Sequence, residues 1–358
     1  MAGAEVVLSD NNRISGSWPI TRPSRQNIRW EKGDLEERIS NFPKPIYADY
    51  EHLTPVEIFE KCIDSEVISL LAKESNQYAL FKNNANPRIT EDAIKFFIGI
   101  LILSGYTVLP GKKFYWESEG DMRSTLVSNA MHRDRFFTIM RYMHCADNSN
   151  ADPLDKLWKI RPLMDRIKDK CKENFIPEEQ LSYDESMIKY YGKHGCKQFI
   201  RGKPIRFGYK MWCLNTVSGY LIDFAMYQGL NPRRNENYEQ FYGKATAPLV
   251  VILDELPKHV KYLRCNIYFD NLFTGVNLLC HLKSRGYGGT GTMRDNRVPK
   301  SCPLLDKKTM KSESRGVYHS ILDLDDGILL LRWADNGVVS VASTVHGVLP
   351  ISAVRRYS

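Results

Sequence analysis

No Cys-x-x-Cys pair occurs among the eight cysteines, which lie scattered from Cys62 to Cys302. That spacing signals neither a zinc ribbon or finger nor a secreted disulfide scaffold, so reduced thiols in a nuclear or cytosolic setting are expected. The start, Met1-Ala-Gly-Ala-Glu-Val6, lacks a basic segment followed by an apolar one, which speaks against a secretory signal. Long hydrophobic runs are missing too. The greasiest stretch, Phe96 to Leu103, is too short to span a bilayer and predicts a buried helix. No Gly-x-Ser-x-Gly or Cys/His arrangement suggests acyl transfer. His132, His144, His194 and His346 have no ligand spacing. Neither a membrane partner nor a small-molecule substrate is indicated.

What is present fits a soluble mixed fold. A chain of 358 residues predicts two or three domains. A net charge of +8 leans mildly toward a polyanionic partner. Residues 1–50 form a polar arm with one apolar island, Ile28-Arg-Trp-Glu-Lys32. Order begins where Thr54 can cap a helix, with Pro55 at its first position and Glu57 closing a capping box. Further helices are expected from Asp64 through Ile68 and Leu71, from Thr90 through Ile102, from Arg133 to Met143, and from Lys159 to Lys172. The segment 51–176 is therefore expected to be an all-helical domain with its apolar stripes in the core.

Beyond it the period changes. Gln180 to Tyr191 predicts a strand, and runs on either side of Ser218-Gly219 predict a hairpin. Ala247–Leu256 is helical, Asn266–Phe269 a short strand, Thr274–Arg285 a helix, and Gly288–Met293 a glycine-rich strand. This order over 177–294 is that of a mixed α/β layer. Three strand-like runs with Asp- and Gly-rich turns then predict a small β module over 295–358.

Two acids stand out. Asp184, in Tyr183-Asp-Glu185, and Asp270, in Tyr268-Phe-Asp-Asn271, both occur at strand positions hemmed by aromatic residues. An acid there is costly unless paired or holding a cation. Taken alone, the pair fits structural caps and ion pairs or ligands for a hard divalent ion. Glu185 is the weaker candidate, because neighbouring strand residues point to opposite faces. Between Glu185 and Asp223 there is no acid at all, while Lys189, Lys193, Lys197, Arg201, Lys203, Arg206 and Lys210 alternate with aromatic residues. A one-signed stretch with interleaved rings suits a nucleic-acid backbone, although a solvated loop would look the same on charge alone. Gly286-x-Gly-Gly-x-Gly291 lacks the following Lys-Ser/Thr of a phosphate loop and predicts a strand kink.

Ordered blocks identify a resemblance. Leu181-Ser-Tyr-Asp-Glu185, Lys197 through Lys210, Phe269-Asp-Asn-Leu-Phe-Thr274 and Gly289-Thr-Gly-Thr-Met-Arg294 are similar to the piggyBac transposases, especially their domesticated transposable-element-derived members. Upstream support comes from Phe97–Tyr106, Arg133–Phe136, Ala146-Asp-Asn148 and Asp155–Pro162, so the likeness covers residues 54–358. It implies an RNase H-like core, preceded by a helical dimerisation and DNA-binding domain and interrupted by a β insertion. It further implies three Asp residues holding Mg²⁺ or Mn²⁺, a homodimer, duplex DNA as partner and a nuclear location. Asp184 matches the first catalytic acid and Asp270 the second. The third belongs to a Gly-Gly-Val-Asp motif that these 358 residues do not contain, and Asp335, in the β insertion, does not match it. The core is therefore expected to be incomplete toward Arg355-Arg-Tyr-Ser358, and the family's cysteine-rich zinc module is not expected here. A DNA-binding remnant without autonomous transposition is the leading expectation. A fragment of an active transposase and a protein-interaction module without DNA affinity are the alternatives.

Overall fold

The computed structural model describes residues 28–36, 41–118 and 122–351. Most of the polar arm, residues 1–27, and the end from 352 lie outside the described residues. The arm's apolar island is described: β1 (Trp30–Glu31) adds a short antiparallel strand to the outer edge of the sheet.

Six helices follow. α1 (Pro55–Cys62) carries the capping box, with Thr54 accepting from the Glu57 amide and Glu57 accepting from the Thr54 amide. Asp64 caps α2 (Ser65–Phe81) and Thr90 caps α3 (Glu91–Tyr106). α4 (Thr125–Ala130), α5 (Arg133–Tyr142) and α6 (Arg161–Glu173) complete the set. Their shared core gathers Val67, Leu71, Ile94, Phe97, Phe136 and Ile139. α3 is apolar nearly all round, so the helices beside it cover only one side: Ile94, Phe97 and Ile100 are buried while Phe96, Leu101 and Ile102 are exposed.

The sheet is built from β2 (Gln180–Lys189), β3 (Lys197–Phe199), β4 (Phe207–Thr216), β5 (Leu221–Met226), β6 (Asn266–Phe269), β7 (Gly288–Thr292), β8 (Tyr318–Asp323), β9 (Ile328–Ala334) and β10 (Val338–Ser343). Its order is β1-β8-β9-β10-β7-β6-β2-β4-β3, with β5 also pairing β4. The β2/β6 and β6/β7 pairs are parallel and the others antiparallel. Between β5 and β6 lie α7 (Glu236–Tyr242), α8 (Ala247–Glu255) and α9 (Lys258–Lys261); α10 (Val276–Ser284) connects β6 to β7, and α11 (Lys307–Lys311) precedes β8. One face packs Leu181, Tyr183, Leu214 and Ile267 against Leu249 and Ile252 of α8 and Leu278 and Leu282 of α10. On the other, Met164 of α6 packs with Cys213, Phe224 and Met226.

The strands of the β-rich segment 295–358 continue the core sheet, with β10 pairing β7 from Val341↔Thr292 to Ser343↔Thr290. The reason is the edge left by a short parallel strand: β7 offers unpaired amides and carbonyls that an antiparallel strand satisfies.

α6 is tied to the sheet by charge. Asp223 on β5 is fully buried, 3.3 Å from Lys168 Nζ and 3.8 Å from Lys172 Nζ. Burial pushes its carboxyl up, and the two ammonium groups oppose that shift. Asp223→Ala removes the buried partner that Lys168 and Lys172 share, leaving them Glu255 and, for Lys172, Asp169 nearer the surface, for an expected loss of about 3 kcal/mol. Urea unfolding measures it, and a loss below about 1 kcal/mol would show that the cluster adds no net stability.

Candidate metal centre and basic hairpin

The parallel register of β2 and β6 ends at Tyr183↔Phe269. The next residue on each strand is an acid, so Asp184 and Asp270 come side by side at the carboxyl edge, where open α/β sheets place their sites. β6 stops there, whereas β2 runs on with β4 alone, pairing Asp184↔Cys213 and Glu185↔Trp212. Each acid is oriented locally. Asp184 Oδ1 accepts the Glu185 amide at 2.7 Å. Asp270 Oδ1 accepts the Leu272 amide at 2.7 Å, and its carbonyl accepts the Thr274 hydroxyl at 2.8 Å, closing a tight turn.

Glu185 departs from expectation. Oxygens of Asp184, Glu185 and Asp270 all lie within 4.8 Å of one another, although strand alternation argues against the middle residue. A strand with no neighbour on one side leaves space at its edge, and the longer Glu side chain reaches into it. Lys203 Nζ pairs with Glu185 Oε1 at 3.3 Å, while Oε2 is buried without a hydrogen-bond partner. Three carboxylates with spare acceptor capacity are a donor set for a hard divalent cation. The residues present therefore fit Mg²⁺ or Mn²⁺.

The surroundings are partly cationic. Lys210 Nζ sits 4.0 Å from the Trp212 ring centroid; burial lowers its pKa, opposed by Glu185. Arg294 Nε donates to Asn271 Oδ1 at 3.0 Å. Arg297 donates to the Thr274 and Leu272 carbonyls at 2.8 and 2.9 Å, stapling the Asp270 turn to the segment after β7. The sequence held no separate signal for Arg297, since its role needs both segments in place.

Of the glycine run, Gly286 turns the chain at φ +85° just before β7, while within β7 no residue has positive φ and the glycines answer to close packing. A Cβ at Gly291 would lie 2.4 Å from Thr274 Oγ1 and 2.5 Å from the Phe269 carbonyl oxygen. One at Gly289 would meet Leu279 and Leu282 of α10. The opposite face carries a polar row in register across five strands: Asn215, Ser182, Tyr268, Thr290 and Ser343.

The seven cations share one projecting hairpin, β2-β3-β4, but face different ways. Lys189, Lys193, Arg201 and Arg206 are exposed, and Lys197 is half-buried. Lys203 and Lys210 are half-buried and lie beside the acids. Phe199 and Phe207 lie together at 4.8 Å, and Lys189 lies over Tyr191.

The family model described as Transposase IS4 matches residues 54–358. PiggyBac transposable element-derived protein 3 of Homo sapiens is 42% identical over 336 residues, covering 92% of this chain and 55% of that protein. This chain belongs to the piggyBac transposase family. PiggyBac transposable element-derived protein 2, also of Homo sapiens, is 37% identical over 95% of this chain and 56% of its own length. This family member thus spans about half the length of those curated relatives. A piggyBac transposase, solved by cryo-EM as a synaptic complex with hairpin DNA, matches with a TM-score of 0.69 at 22% identity, over 87% of this chain and 64% of that one. The shared fold is RNase H-like.

Proposed function

We propose that this chain is a nuclear, DNA-binding, transposase-derived protein whose Asp184 and Asp270 hold a divalent cation beside the bound duplex. One observation carries the reading: the two acids meet at the sheet's carboxyl edge, at the base of a hairpin that contains no acid beyond Glu185. Cations along such a hairpin neutralise phosphates, and its exposed rings offer apolar contact to the sugar and base edges. A bound Mg²⁺ or Mn²⁺ supplies Lewis-acid polarisation at a phosphodiester. The chain's own residues do the rest: Asp184 and Asp270 are held in orientation by backbone amides, and Arg297 fixes the Asp270 turn.

These 358 residues contain no Gly-Gly-Val-Asp, so the family's third Asp has no counterpart by motif. The 358-residue polypeptide is expected to bind duplex DNA with a steep salt dependence, yet to give no strand transfer on transposon-end DNA. Supplying a segment with that motif is expected to be necessary for activity. Anisotropy titrations across about 50–200 mM salt test the binding. Gel assays in Mn²⁺ test the chemistry, and transfer by the 358-residue polypeptide that disappears in Asp270→Asn would overturn the inactive reading. One observation favours that second reading, a competent transposase: Glu185 already brings a third carboxylate to the pair.

Homodimerisation is proposed through α1 and α3, whose Val56, Phe59, Phe96 and Ile102 are exposed. Light scattering measures the mass of the particle, and imaging of a fluorescent fusion tests the nuclear location.

A further inference from the structure

Three acids within 4.8 Å repel one another; Asp184 and Asp270 are exposed to water, whereas the largely buried Glu185 needs a cationic partner when no metal is bound. Among the described residues, a single ion pair reaches the three: Lys203 Nζ to Glu185 Oε1, at 3.3 Å. Lys203 does not belong to the sheet. It lies in the turn 200–206 between β3 and β4, which is closed by the Ile200 amide donating to the Arg206 carbonyl and bent at Gly202, where φ is +90°. Lys210 and Arg297 add positive charge nearby without pairing with the acids; Lys203, the one in an ion pair with them, is flanked on its turn by exposed Arg201 and Arg206. Its side chain is 36% exposed, and a lysine stem of four carbons can swing between an inner and an outer partner. Glu185, by contrast, is held: its side chain is 11% exposed, and its Oε2 is buried without a hydrogen-bond partner.

We propose that Lys203 is a stand-in counter-ion for the acidic cluster, displaced when a divalent ion binds and then free to contact a DNA phosphate, so that metal loading strengthens duplex binding by the hairpin. This rests on the reading of Asp184 and Asp270 as metal ligands and adds a role for Glu185 and Lys203. The physics is a charge exchange. A dication brings more positive charge to the carboxylates than one ammonium does, and once in place it repels that ammonium. The freed lysine joins Arg201 and Arg206 as a third phosphate contact. One added contact steepens the slope of log affinity against log salt by about 0.9. Linkage makes the effect reciprocal: DNA must tighten metal binding by the same factor that metal tightens DNA binding.

The test uses the full chain and Mn²⁺. Without DNA, free Mn²⁺ is measured by electron paramagnetic resonance for the wild type, Lys203→Gln, Lys203→Arg and Glu185→Gln. Lys203→Gln removes the competing cation and is expected to bind Mn²⁺ several-fold more tightly than the wild type. Lys203→Arg should stay near wild type, and Glu185→Gln should bind several-fold more weakly. With duplex DNA, Mn²⁺ is expected to raise wild-type affinity about fivefold and steepen its salt slope by about 0.9, whereas neither changes in Lys203→Gln. Asp270→Asn, measured alongside, sets the generic effect of Mn²⁺ on the duplex. Unchanged or weaker Mn²⁺ binding in Lys203→Gln overturns the exchange, as does a slope that still steepens in that variant. Equal Mn²⁺ binding by the wild type and an Asp184→Asn/Asp270→Asn double variant would instead overturn the metal site itself.

Discussion

Asp184→Asn and Asp270→Asn are each expected to weaken Mn²⁺ binding about 100-fold or more while leaving the fold in place. The substitution separates charge from shape. Both carboxylates accept a backbone amide through Oδ1, from Glu185 and from Leu272, and an Asn side-chain oxygen can keep that bond. What is lost is a full negative charge beside two others, within a cluster whose oxygens lie inside 4.8 Å. Replacing a partner one shell out from a metal already costs about 10–100-fold in affinity, so losing a direct ligand should cost at least the top of that range. If the acids were only turn caps, the same variants would change neither metal binding nor stability by more than about 1 kcal/mol. Calorimetric titration with Mn²⁺ beside a thermal melt distinguishes the cases. Wild-type metal affinity in both variants would remove the metal centre from this protein.

The Arg201→Ala/Lys203→Ala/Arg206→Ala variant is expected to show the largest change in DNA binding. Each phosphate contact contributes about 0.9 to the salt slope, so three lost contacts flatten it by about 2.7 in the presence of Mn²⁺. Across a fourfold rise in salt, that is about 40-fold less loss of affinity than the wild type suffers. In chelator, where Lys203 stays on Glu185, only Arg201 and Arg206 contribute and the flattening falls to about 1.8. Arg201 and Arg206 are exposed on a turn and should together cost no more than about 0.5 kcal/mol, and losing the Lys203–Glu185 pair should add up to about 1 kcal/mol. Parallel salt-slope lines for variant and wild type would place the DNA surface elsewhere on the molecule.

Local chemistry was legible in the sequence because it depends on neighbours within one turn. The Thr54–Glu57 capping box, the Asp64 and Thr90 caps, the turn at Gly219 and the strand ending at Phe269 all follow from residues a few positions apart. Asp184 and Asp270 stood out because an acid among aromatic residues is costly without a partner, yet the fold leaves both exposed, so burial is not what marks them. Their adjacency was not legible, since it comes from the parallel register that sets Tyr183 against Phe269. Strand alternation pointed away from Glu185; the early end of β6 opened the edge that lets its carboxylate join the others. The charge count treated seven cations alike, yet the fold turns Lys203 and Lys210 toward the acids and leaves Lys189, Lys193, Arg201 and Arg206 outward. The turns between β8, β9 and β10 could be read locally, but attachment to β7 is a long-range pairing chosen by an open edge. Pattern and capping decided which elements form. Register and edge satisfaction, which exist only once distant strands meet, decided what the site contains.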